Sequence, residues 1–542
     1  MRFSNTGDLL MTHSTLFRRL VLILQAARRD HLKANHLPDP IPASQAGWSR
    51  RRFIKTSAAA GFAGAVSSSL APPAWAKDRG DARVAIIGAG IAGLNAAYRL
   101  KKAGVAATVF EAHSRVGGRM LSASLDDGLT IDLGAELINT NHPDMLGLAK
   151  DFGIKLFDKR QDAARLPYPK EVYFFNGERF SEAQLADDLR AIAAQIHEDA
   201  GLLDQDWETH APLFDQWSVS DYLHRHADKI GAPYVRSLLG NMLRTEFGAE
   251  TSQASALQLI DILPVVDGQA VDLLSYSDEV YAVVGGSARI TDALARALPG
   301  QIHLRKALRA LKLRNDEYHL TFSDGSRVEA DIVIIATPFP ALRNVELDAP
   351  LPALFRRFVA EANPGANEKL IAGFKQRFWH SPAGFSLAAW TDFGYSEVWD
   401  ETQRQPHRRG GALNFFLGGD QARQLNNTGN IKPLAKQFIT DLDKFIPGAK
   451  ASASGGLAKS AWGNNPYAGG GYANFAPGQL STFAEFFWVE GDGSATQQVA
   501  FDKLIFAGEH LSDANYGFME GGAQTGRLAA ALALDILQNH RE

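Results

Sequence analysis

A buried strand that runs into a glycine-rich turn and a helix restricts the fold of this chain more than any other feature. Val84–Ile87 is a short, continuous apolar run, which is typical of a parallel strand that is buried on both faces. Gly88, Gly90 and Gly93 follow it in the spacing GxGxxG. In this pattern the glycines permit a tight turn, a close approach of the backbone to a pyrophosphate and close packing of the helix on the strand.

The residues after the turn complete a dinucleotide-binding pattern. Ala89, Ile91 and Ala92 lie at the start of the predicted helix, where backbone N–H groups and the positive end of the helix dipole favour phosphate. A second strand then ends at Glu111, followed by Ala112, and a carboxylate in this place can accept hydrogen bonds from both ribose hydroxyls. The order of these parts predicts nucleotide binding, and both NAD and FAD fit it.

A second pair of glycines follows, flanked by two arginines. Arg115 and Arg119 surround the Gly117–Gly118 pair in HSRVGGRMLSASLDDGLTIDLGAELI. A guanidinium beside a glycine turn can bind a pyrophosphate through two parallel hydrogen bonds. The sequence therefore predicts Arg115, Gly118 and Arg119 as further cofactor-binding residues. Nicotinamide dehydrogenases do not usually continue in this way.

The order GAGIAGLNAAYRL, Glu111, Arg115, VGGR and DLGAE resembles that of the flavin-containing amine oxidase superfamily, which comprises monoamine oxidases, polyamine oxidases and L-amino acid oxidases. The resemblance implies FAD as the cofactor. It also implies an α/β fold, in which a Rossmann-like FAD-binding domain is interleaved with an α+β substrate-binding domain. The turn after DL adds four expected cofactor contacts: Gly134, Ala135, Glu136 and Leu137. The expected FAD-binding segments are residues 82–150, 279–341 and 461–542, and the expected substrate-binding segments are residues 151–278 and 342–460.

Motifs along the rest of the chain continue this resemblance. SDEVYAVVGGSARITDALARALPGQIHL looks like the family's return to the FAD-binding domain, and Leu308 lies where the family's backbone meets the adenine. LIFAGEHLSDANYGFMEGGAQTGRLAAALAL looks like a second strand, turn and helix. The resemblance places Glu509 near the ribityl chain or the pyrophosphate. The helix that begins near Gly517, Phe518 and Met519 is expected to direct its N–H groups at the flavin, where they stabilise the reduced cofactor.

The same resemblance implies the residues of the reaction site. Lys369, in EKLIAGFKQRFW, matches the family's active-site lysine, which holds a water against flavin N5. Tyr472 and Phe518 match two positions that form an aromatic wall before the flavin, and Trp462 matches a tryptophan that packs on it. Such rings orient an amine and exclude its charged form by desolvation. The chain has no cysteine, so FAD is expected to be held without a thioether bond.

The substrate is less constrained than the cofactor. L-amino acid oxidases of the snake-venom kind place an arginine for the substrate carboxylate directly after this turn, where the chain has Glu136 and Leu137. The substrate carboxylate is therefore bound elsewhere or absent, and Glu136 and Asp261 are candidate partners for a cationic tail. The expected reaction oxidises the C–N bond of an amine or a basic L-amino acid to an imine by hydride transfer to the flavin. Hydrolysis of the imine and reoxidation of the flavin by O2 or a quinone would follow.

Two other functions are open at this point. A flavoprotein related to carotenoid desaturases or porphyrinogen oxidases would act on C–C bonds, but Lys369 and the Tyr472 and Phe518 pair favour an amine. An FAD-binding protein without turnover is the other alternative. The intact second flavin motif argues against it.

Composition narrows the remaining classes. The formal net charge is −4 and no basic stripe follows the N-terminal region, so nucleic-acid binding is not expected. The 15 histidines show no metal-binding spacing, so no metal site is expected. No apolar run reaches the roughly 18 residues that a membrane-spanning helix needs. The sequence does not indicate an oligomeric state.

Residues 1–76 resemble an extension followed by a bacterial twin-arginine export signal. SRRRFIK precedes a weakly apolar stretch that ends in the small residues Ala74 and Ala76, as such signals do before their cleavage site. This predicts a protein that is periplasmic or secreted, with the twin-arginine machinery as a partner. That route carries folded proteins, which suits a chain that must first take up a large cofactor.

Overall fold

The computed structural model describes residues 82–125, 128–274, 277–490 and 497–539. The predicted extension and export signal, residues 1–76, lie outside the described residues. Within the described ranges, no helix combines the length and the apolar character that crossing a membrane requires.

The first large sheet is built around the strand that precedes the glycine turn. Val84–Ile87 pairs in parallel with Ala107–Phe110 on one side and with Ile332–Ile335 on the other. Both Val84–Ile87 and Ile332–Ile335 are buried along their whole length, which accounts for their uninterrupted apolar sequences. Leu504–Phe506, from the second glycine motif, pairs in parallel with Ile332–Ile335. In spatial order the six strands are Ile302–His303, Ala107–Phe110, Val84–Ile87, Ile332–Ile335, Leu504–Phe506 and Ala500–Phe501.

Two helices from distant parts of the sequence pack on each other beside this sheet. Ile91–Lys102 follows the first glycine turn and Met519–Asn539 follows the second, and the two are in extensive contact. A Cβ at Gly526 would lie only 2.2 Å from the carbonyl oxygen of Ala92. The missing side chain at Gly526 therefore sets the distance between these helices. A third helix, Ala288–Arg296, also packs against Ile91–Lys102.

The second large sheet is mostly antiparallel. Asn367–Phe374 pairs over its full length with Gly411–Gly418, and all of its residues are buried. This strand carries Asn367, Glu368 and Lys369 into the interior, where such polar groups need partners. In spatial order the seven strands are Ala453–Lys459, Asn367–Phe374, Gly411–Gly418, Glu397–Asp400, Ala388–Thr391, Glu171–Phe175 and Glu178–Phe180.

A helical region follows the strand Glu178–Phe180 in the chain. Ser181 and Ser218 each begin a helix through a capping box, in which the serine hydroxyl accepts from the N3 backbone N–H and the N3 side chain accepts from the serine N–H. Gly248, in the left-handed conformation, ends the helix Pro233–Phe247. The five helices are Glu182–Gln205, Trp207–Asp215, Val219–Arg225, Pro233–Phe247 and Ala256–Ile262.

The other elements are small sheets and short helices. A four-stranded sheet comprises Arg327–Ala330, Glu317–Phe322, Leu308–Arg314 and Glu346–Asp348, and a three-stranded sheet comprises Leu137–Ile138, Tyr281–Val283 and Leu156–Asp158. The two-stranded pairs are Ser122–Ser124 with Thr130–Asp132, Val265–Asp267 with Ala270–Asp272, and Asn363–Pro364 with Ala473–Asn474. The further α-helices are Pro143–Asp151, Lys159–Ala163, Phe339–Leu342, Ala353–Glu361, Gly419–Asn426, Lys432–Phe445, Ala449–Ser452 and Gln479–Phe483. The 3-10 helices are Ala227–Lys229, Ala484–Phe486 and Glu509–Leu511.

The two large sheets draw on different parts of the sequence. The strands of the first sheet all fall within residues 82–150, 279–341 and 461–542, and those of the second fall within residues 151–278 and 342–460. One strand, Glu346–Asp348, lies past residue 341 but pairs with Leu308–Arg314 of the four-stranded sheet. The domain boundaries themselves stay a prediction.

Replacing Gly526 with alanine is expected to destabilise the protein, because the new Cβ would overlap the Ala92 carbonyl oxygen and push the two helices apart. Overpacking of this kind costs about 1–3 kcal/mol of unfolding free energy, so the midpoint of thermal unfolding should fall.

The matched control is Gly147→Ala. Gly147 also lies inside a helix, Pro143–Asp151, but a Cβ there would meet no atom within 4 Å. Alanine should stabilise that helix by about 0.5–1 kcal/mol. Equal midpoints for the two variants would show that the contact between Gly526 and Ala92 does not limit stability.

Candidate active site

A cavity of about 490 Å³ is lined by residues from the first glycine turn, from both large sheets and from the start of the helix Met519–Asn539. Ala89, Gly93 and Arg115 do not line it. Ala89 and Arg115 are bonded within the two glycine turns, and Gly93 packs against the first turn from the helix Ile91–Lys102. The predicted site residues on the wall are Gly88, Gly90, Ile91, Ala92, Glu111, Ala112, Gly118, Arg119, Gly134, Ala135, Glu136, Leu137, Leu308, Lys369, Trp462, Tyr472, Glu509, Gly517, Phe518 and Met519.

Glycines shape the cavity wall at the first turn. Gly88 has a φ of +108°, and a Cβ on Gly93 would lie 2.0 Å from the Gly88 carbonyl oxygen. Gly90 faces the second glycine pair, since a Cβ on Gly118 would lie 3.2 Å from Gly90 Cα. Two stretches of backbone without side chains therefore meet where the helix Ile91–Lys102 begins. Backbone N–H groups need this arrangement to reach a phosphate.

Glu111 lines the cavity and also holds the first turn. Its Oε2 accepts from the backbone N–H of Ala89, and its Oε1 accepts from that of His113, each at 2.7 Å. Each carboxylate oxygen has a further lone pair, so Glu111 can also accept from ribose hydroxyls, as the sequence predicts. The structure adds a positioning role that the motif alone does not reveal.

Arg119 joins the first segment of the chain to the last. Its Nη1 donates to the carbonyl oxygen of Gly471 at 2.6 Å and to Glu509 Oε1 at 2.7 Å. Glu509 Oε2 accepts from the N–H of Gly517 at 2.7 Å, just before the helix Met519–Asn539 begins. Burial works against ionisation of Glu509, but the guanidinium of Arg119 outweighs it and lowers the pKa of this carboxyl.

Arg115 and Leu308 are two further residues that were predicted to bind the cofactor. Arg115 donates to the carbonyl oxygens of Val116 and Gly118, each at 2.9 Å, so it organises the second glycine turn. Leu308 is buried at the start of the strand Leu308–Arg314 and lines the cavity. The predicted contacts of Arg115 with a pyrophosphate and of Leu308 with an adenine stay predictions.

The donor set fits an adenine dinucleotide that carries a flavin. Ile91 begins one helix, and Gly522, in the first turn of another, lies against it, because a Cβ at Gly522 would be 2.7 Å from Ile91 Cγ2. Two helix N-termini thus lie side by side at the wall, where they favour a pyrophosphate and a flavin that gains negative charge. The cradle between Gly90 and Gly118 would be filled by any larger residue. Glu111 supplies the acceptors that a ribose needs.

Lys369 is buried and bonded to acids. Its Nζ donates to Glu136 Oε2 at 2.8 Å and to Glu401 Oε2 at 3.4 Å, and it lies 5.4 Å from the ring centre of Trp399. Burial alone would lower the pKa of Lys369, but Glu136 and Glu401 outweigh it and raise that pKa. Lys369 is therefore a fixed ammonium in the cavity wall.

Glu136 lines the cavity, but cations engage both of its oxygens. Besides Lys369 on Oε2, Arg404 Nη1 donates to Oε1 at 3.2 Å, and Trp399 Nε1 donates to Oε2 at 3.3 Å. Burial opposes ionisation of Glu136, yet Lys369 and then Arg404 lower the pKa of this carboxyl. A cationic substrate would have to compete with two side chains, so the substrate role of Glu136 stays a prediction.

Aromatic rings form much of the wall. The hydroxyl of Tyr472 donates to the carbonyl oxygen of Thr245, which fixes the ring. Phe518 packs edge-on against His142, with ring centres 5.2 Å apart, and Trp462 Nε1 donates to a backbone carbonyl oxygen at 2.8 Å. Further rings on the wall, which the sequence did not single out, are Phe110, Phe247, Trp399, Phe416, Tyr467 and Tyr516.

Besides Glu368, which directly precedes Lys369, three glutamates that the sequence did not single out also line the cavity: Glu246, Glu279 and Glu397. Burial first, and then repulsion from Glu279, raise the pKa of Glu397 well above its usual range. Burial likewise raises the pKa of Glu279. Asp261, which the sequence did single out, lies on the wall and accepts from the hydroxyl of Tyr516 at 3.2 Å. The three glutamates lie far apart in the sequence and belong to no motif, so only the folded chain shows them as a group.

Comparison with known proteins agrees with this geometry. Residues 91–534 match the model of a protein family described as flavin containing amine oxidoreductase. An L-amino-acid oxidase from Bothrops moojeni is 24% identical over 472 residues, which cover 83% of this chain and 88% of that protein. A flavin-containing amine oxidase from Oncorhynchus mykiss is 23% identical over 457 residues, which cover 82% of this chain and 84% of that protein.

Solved structures share the fold. Putrescine oxidase bound to putrescine matches with a TM-score of 0.67 at 22% identity, over 84% of this chain and 99% of its own. Cyclohexylamine oxidase from Brevibacterium oxydans matches with a TM-score of 0.70 at 23% identity, over 85% of this chain and 100% of its own. The predicted fold class, a Rossmann-like FAD-binding domain interleaved with an α+β part, is thereby confirmed. Since the family match extends over most of its length, the chain belongs to the flavin-containing amine oxidoreductases.

Proposed function

We propose that this protein oxidises the C–N bond of an amine with FAD as its cofactor. The observation that carries the proposal is one cavity whose wall combines a dinucleotide cradle with a buried lysine, aromatic rings and acids. When bound, FAD supplies the acceptor for the two electrons that leave the carbon next to the nitrogen. The reaction is inferred from the site residues and not from the fold, because one fold can serve many reactions.

The residues that would hold FAD surround the two helix N-termini. Backbone N–H groups near Gly90 and Met519 would favour the negative charge of the cofactor, Glu111 would accept from its ribose, and Arg119 would supply a guanidinium that Glu509 holds in place. The chain contains no cysteine, and we propose that the cofactor is held without a covalent bond.

The cavity wall favours a substrate with two positive groups and no carboxylate. Glu279 and Glu397 are acids on the wall with raised pKa values, and an incoming cation would relieve the repulsion between them. Among the basic residues on the wall, Arg119, Lys306 and Lys369 are already bonded to carboxylates, so a substrate carboxylate beside them would also meet acids. A diamine therefore fits this wall better than an L-amino acid does.

The chain's own residues prepare the amine for oxidation. Tyr472 and Phe518 remove water from the reacting nitrogen, which favours its neutral form and leaves the lone pair free. Lys369 carries its proton already and is bonded to Glu136, so it does not take a proton from the substrate. It supplies a fixed positive charge and N–H donors instead.

We also propose that the protein works outside the cytoplasm, in the periplasm or secreted, with O2 or a quinone as the final electron acceptor. The twin-arginine pattern of residues 49–55 supports this placement. Export as a folded protein would let the cofactor be loaded before translocation.

The purified holoprotein is expected to be yellow, to release FAD on denaturation without proteolysis, and to bleach when a diamine is added without oxygen. Monoamines of equal length should bleach it more slowly, and L-amino acids more slowly still. Absorbance at the flavin bands measures each rate, and later addition of oxygen tells an oxidase from a dehydrogenase. A colourless protein that cannot be reconstituted would contradict FAD binding. Bleaching by nitrogen-free compounds alone would favour a C–C oxidoreductase.

Lys369→Met is expected to keep FAD bound and to slow turnover by about 100-fold with little change in KM, because a fixed charge beside the reaction is lost. Stopped-flow absorbance then shows whether flavin reduction or reoxidation is slowed. Lys450→Met is the control, since Lys450 is exposed and bonded to Asp443, and it should leave both rates unchanged. Unchanged rates in the Lys369 variant would remove this residue from the reaction.

Glu397→Gln is expected to raise the KM for a diamine about tenfold and to leave that for a monoamine nearly unchanged, because a charged hydrogen bond is lost. In the wild type the pKa of Glu397 is raised, so the carboxyl is mostly neutral at low pH. Binding of the distal ammonium of a diamine must expel that proton, and the KM for a diamine should fall as the pH rises. The variant should have a flatter profile across the pH range in which the Glu397 carboxyl ionises, and parallel profiles would contradict this role.

A further inference from the structure

A second buried cation, Arg404, lies near Lys369 and contacts three acids, Asp132, Glu136 and Glu401. Arg404 Nη2 lies 3.0 Å from Asp132 Oδ2 and 3.4 Å from Glu401 Oε1, and its Nη1 lies 3.2 Å from Glu136 Oε1. Lys369 Nζ bridges Glu136 at 2.8 Å and Glu401 at 3.4 Å. The five side chains expose between 0% and 7% of their surface, so water can screen none of these charges. We call these five residues the charge network.

The charge network contains one acid more than its cations can neutralise. A net charge buried in this way is costly, and a group in such a place takes up a proton instead. The Oε2 atoms of Glu136 and Glu401 share the Lys369 ammonium, and their Oε1 atoms share the Arg404 guanidinium. The two carboxyl groups therefore lie close together, and a proton on one of them relieves their repulsion. Glu401 makes the longer contacts with both cations. The proton therefore belongs on Glu401.

We infer that Arg404 and Glu401 are positioning residues for Lys369: Arg404 neutralises the other oxygen of Glu136, and Glu401 carries the one proton that makes the charge network neutral. Together they keep the Lys369 ammonium fixed in the cavity wall. The inference rests on the proposed function for what Lys369 does in the reaction. The protonation of the charge network depends on the chain alone.

The ionisation of Glu401 gives this inference a measurable pH dependence. The charged groups that face Glu401 are Asp132, Glu136, Lys369 and Arg404. Burial and then the Glu136 carboxylate raise the pKa of Glu401 from 4.5 to about 8. In the unfolded chain Glu401 ionises near its ordinary pKa, so folding takes up a proton between these two values. The contribution of Glu401 to stability therefore falls as the pH rises from 4.5 through about 8, and it levels off above that.

Thermal unfolding of the apoprotein against pH tests the charge count. Glu401→Gln keeps the size of the side chain but cannot ionise, so its midpoint should equal that of the wild type near pH 5 and exceed it at pH 9. Arg404→Met leaves one cation for three acids, so two protons are needed and the midpoint should fall more steeply with pH than in the wild type. Arg404→Lys keeps the charge and should run parallel to the wild type.

The slopes decide the matter, because each variant is compared with the wild type at every pH. A Glu401→Gln midpoint that stays a constant distance from the wild type would overturn the protonation of Glu401. An Arg404→Met slope equal to that of the wild type would overturn the charge count. If Arg404→Met fails to fold, the Glu401→Gln and Arg404→Lys curves still test the inference.

Flavin kinetics test the link to Lys369. With the holoprotein and an amine that bleaches it, Arg404→Met should slow the same half-reaction that Lys369→Met slows, about tenfold or more. Arg404→Lys should restore part of that rate, and FAD content should be unchanged. A normal rate in Arg404→Met would refute the positioning role. If no amine bleaches the wild type, the proposed function fails, while the apoprotein curves still report on the charge network.

Discussion

The close contact between two helices from distant parts of the chain is the constraint on which the site depends. Gly526 has no side chain, so the helix Met519–Asn539 reaches the backbone at Ala92. This contact places the N-termini of both helices beside each other on one cavity wall. Glu520, in the first turn of the later helix, also accepts from the backbone N–H groups of Asp144 and Met145. These bonds anchor that helix to the helix Pro143–Asp151. The cavity is therefore a product of tertiary packing, although each glycine turn is a local motif.

The structure buries charge in two different ways within one cavity. Around Arg119 and Lys369, cations and acids are bonded at short distances, so these parts of the wall are electrically satisfied in the protein alone. Glu279 and Glu397 instead face the cavity with raised pKa values. Either a proton or an incoming cation would relieve the repulsion between them. Selectivity for a positive substrate can thus come from acids that the fold leaves incompletely compensated.

Local patterns predicted much of the fold and of the cofactor wall. The strand Val84–Ile87, the glycine turn and the helix after it follow from burial and backbone sterics, which act over a few residues. The family resemblance singled out Lys369, which the fold places on the cavity wall, while its role in the reaction stays a prediction. Arg404 was not, because it lies in a polar stretch, TQRQPHRR, whose composition favours a solvated loop. Its burial depends on acids from two other elements, and no pattern within its own segment records them.

The place of Leu504–Phe506 within the first sheet has a consequence for biosynthesis. This strand pairs with Ile332–Ile335, so a ribosome must add several hundred residues after the first glycine turn before the sheet is complete. A nascent chain that stops earlier leaves this side of Ile332–Ile335 unpaired. It also lacks the helix Met519–Asn539, whose first turn lines the cavity. Capture of a flavin by this cavity would then require that synthesis has passed the second glycine motif. A cell that tests for the bound cofactor before export would then also test whether translation has passed the second glycine motif.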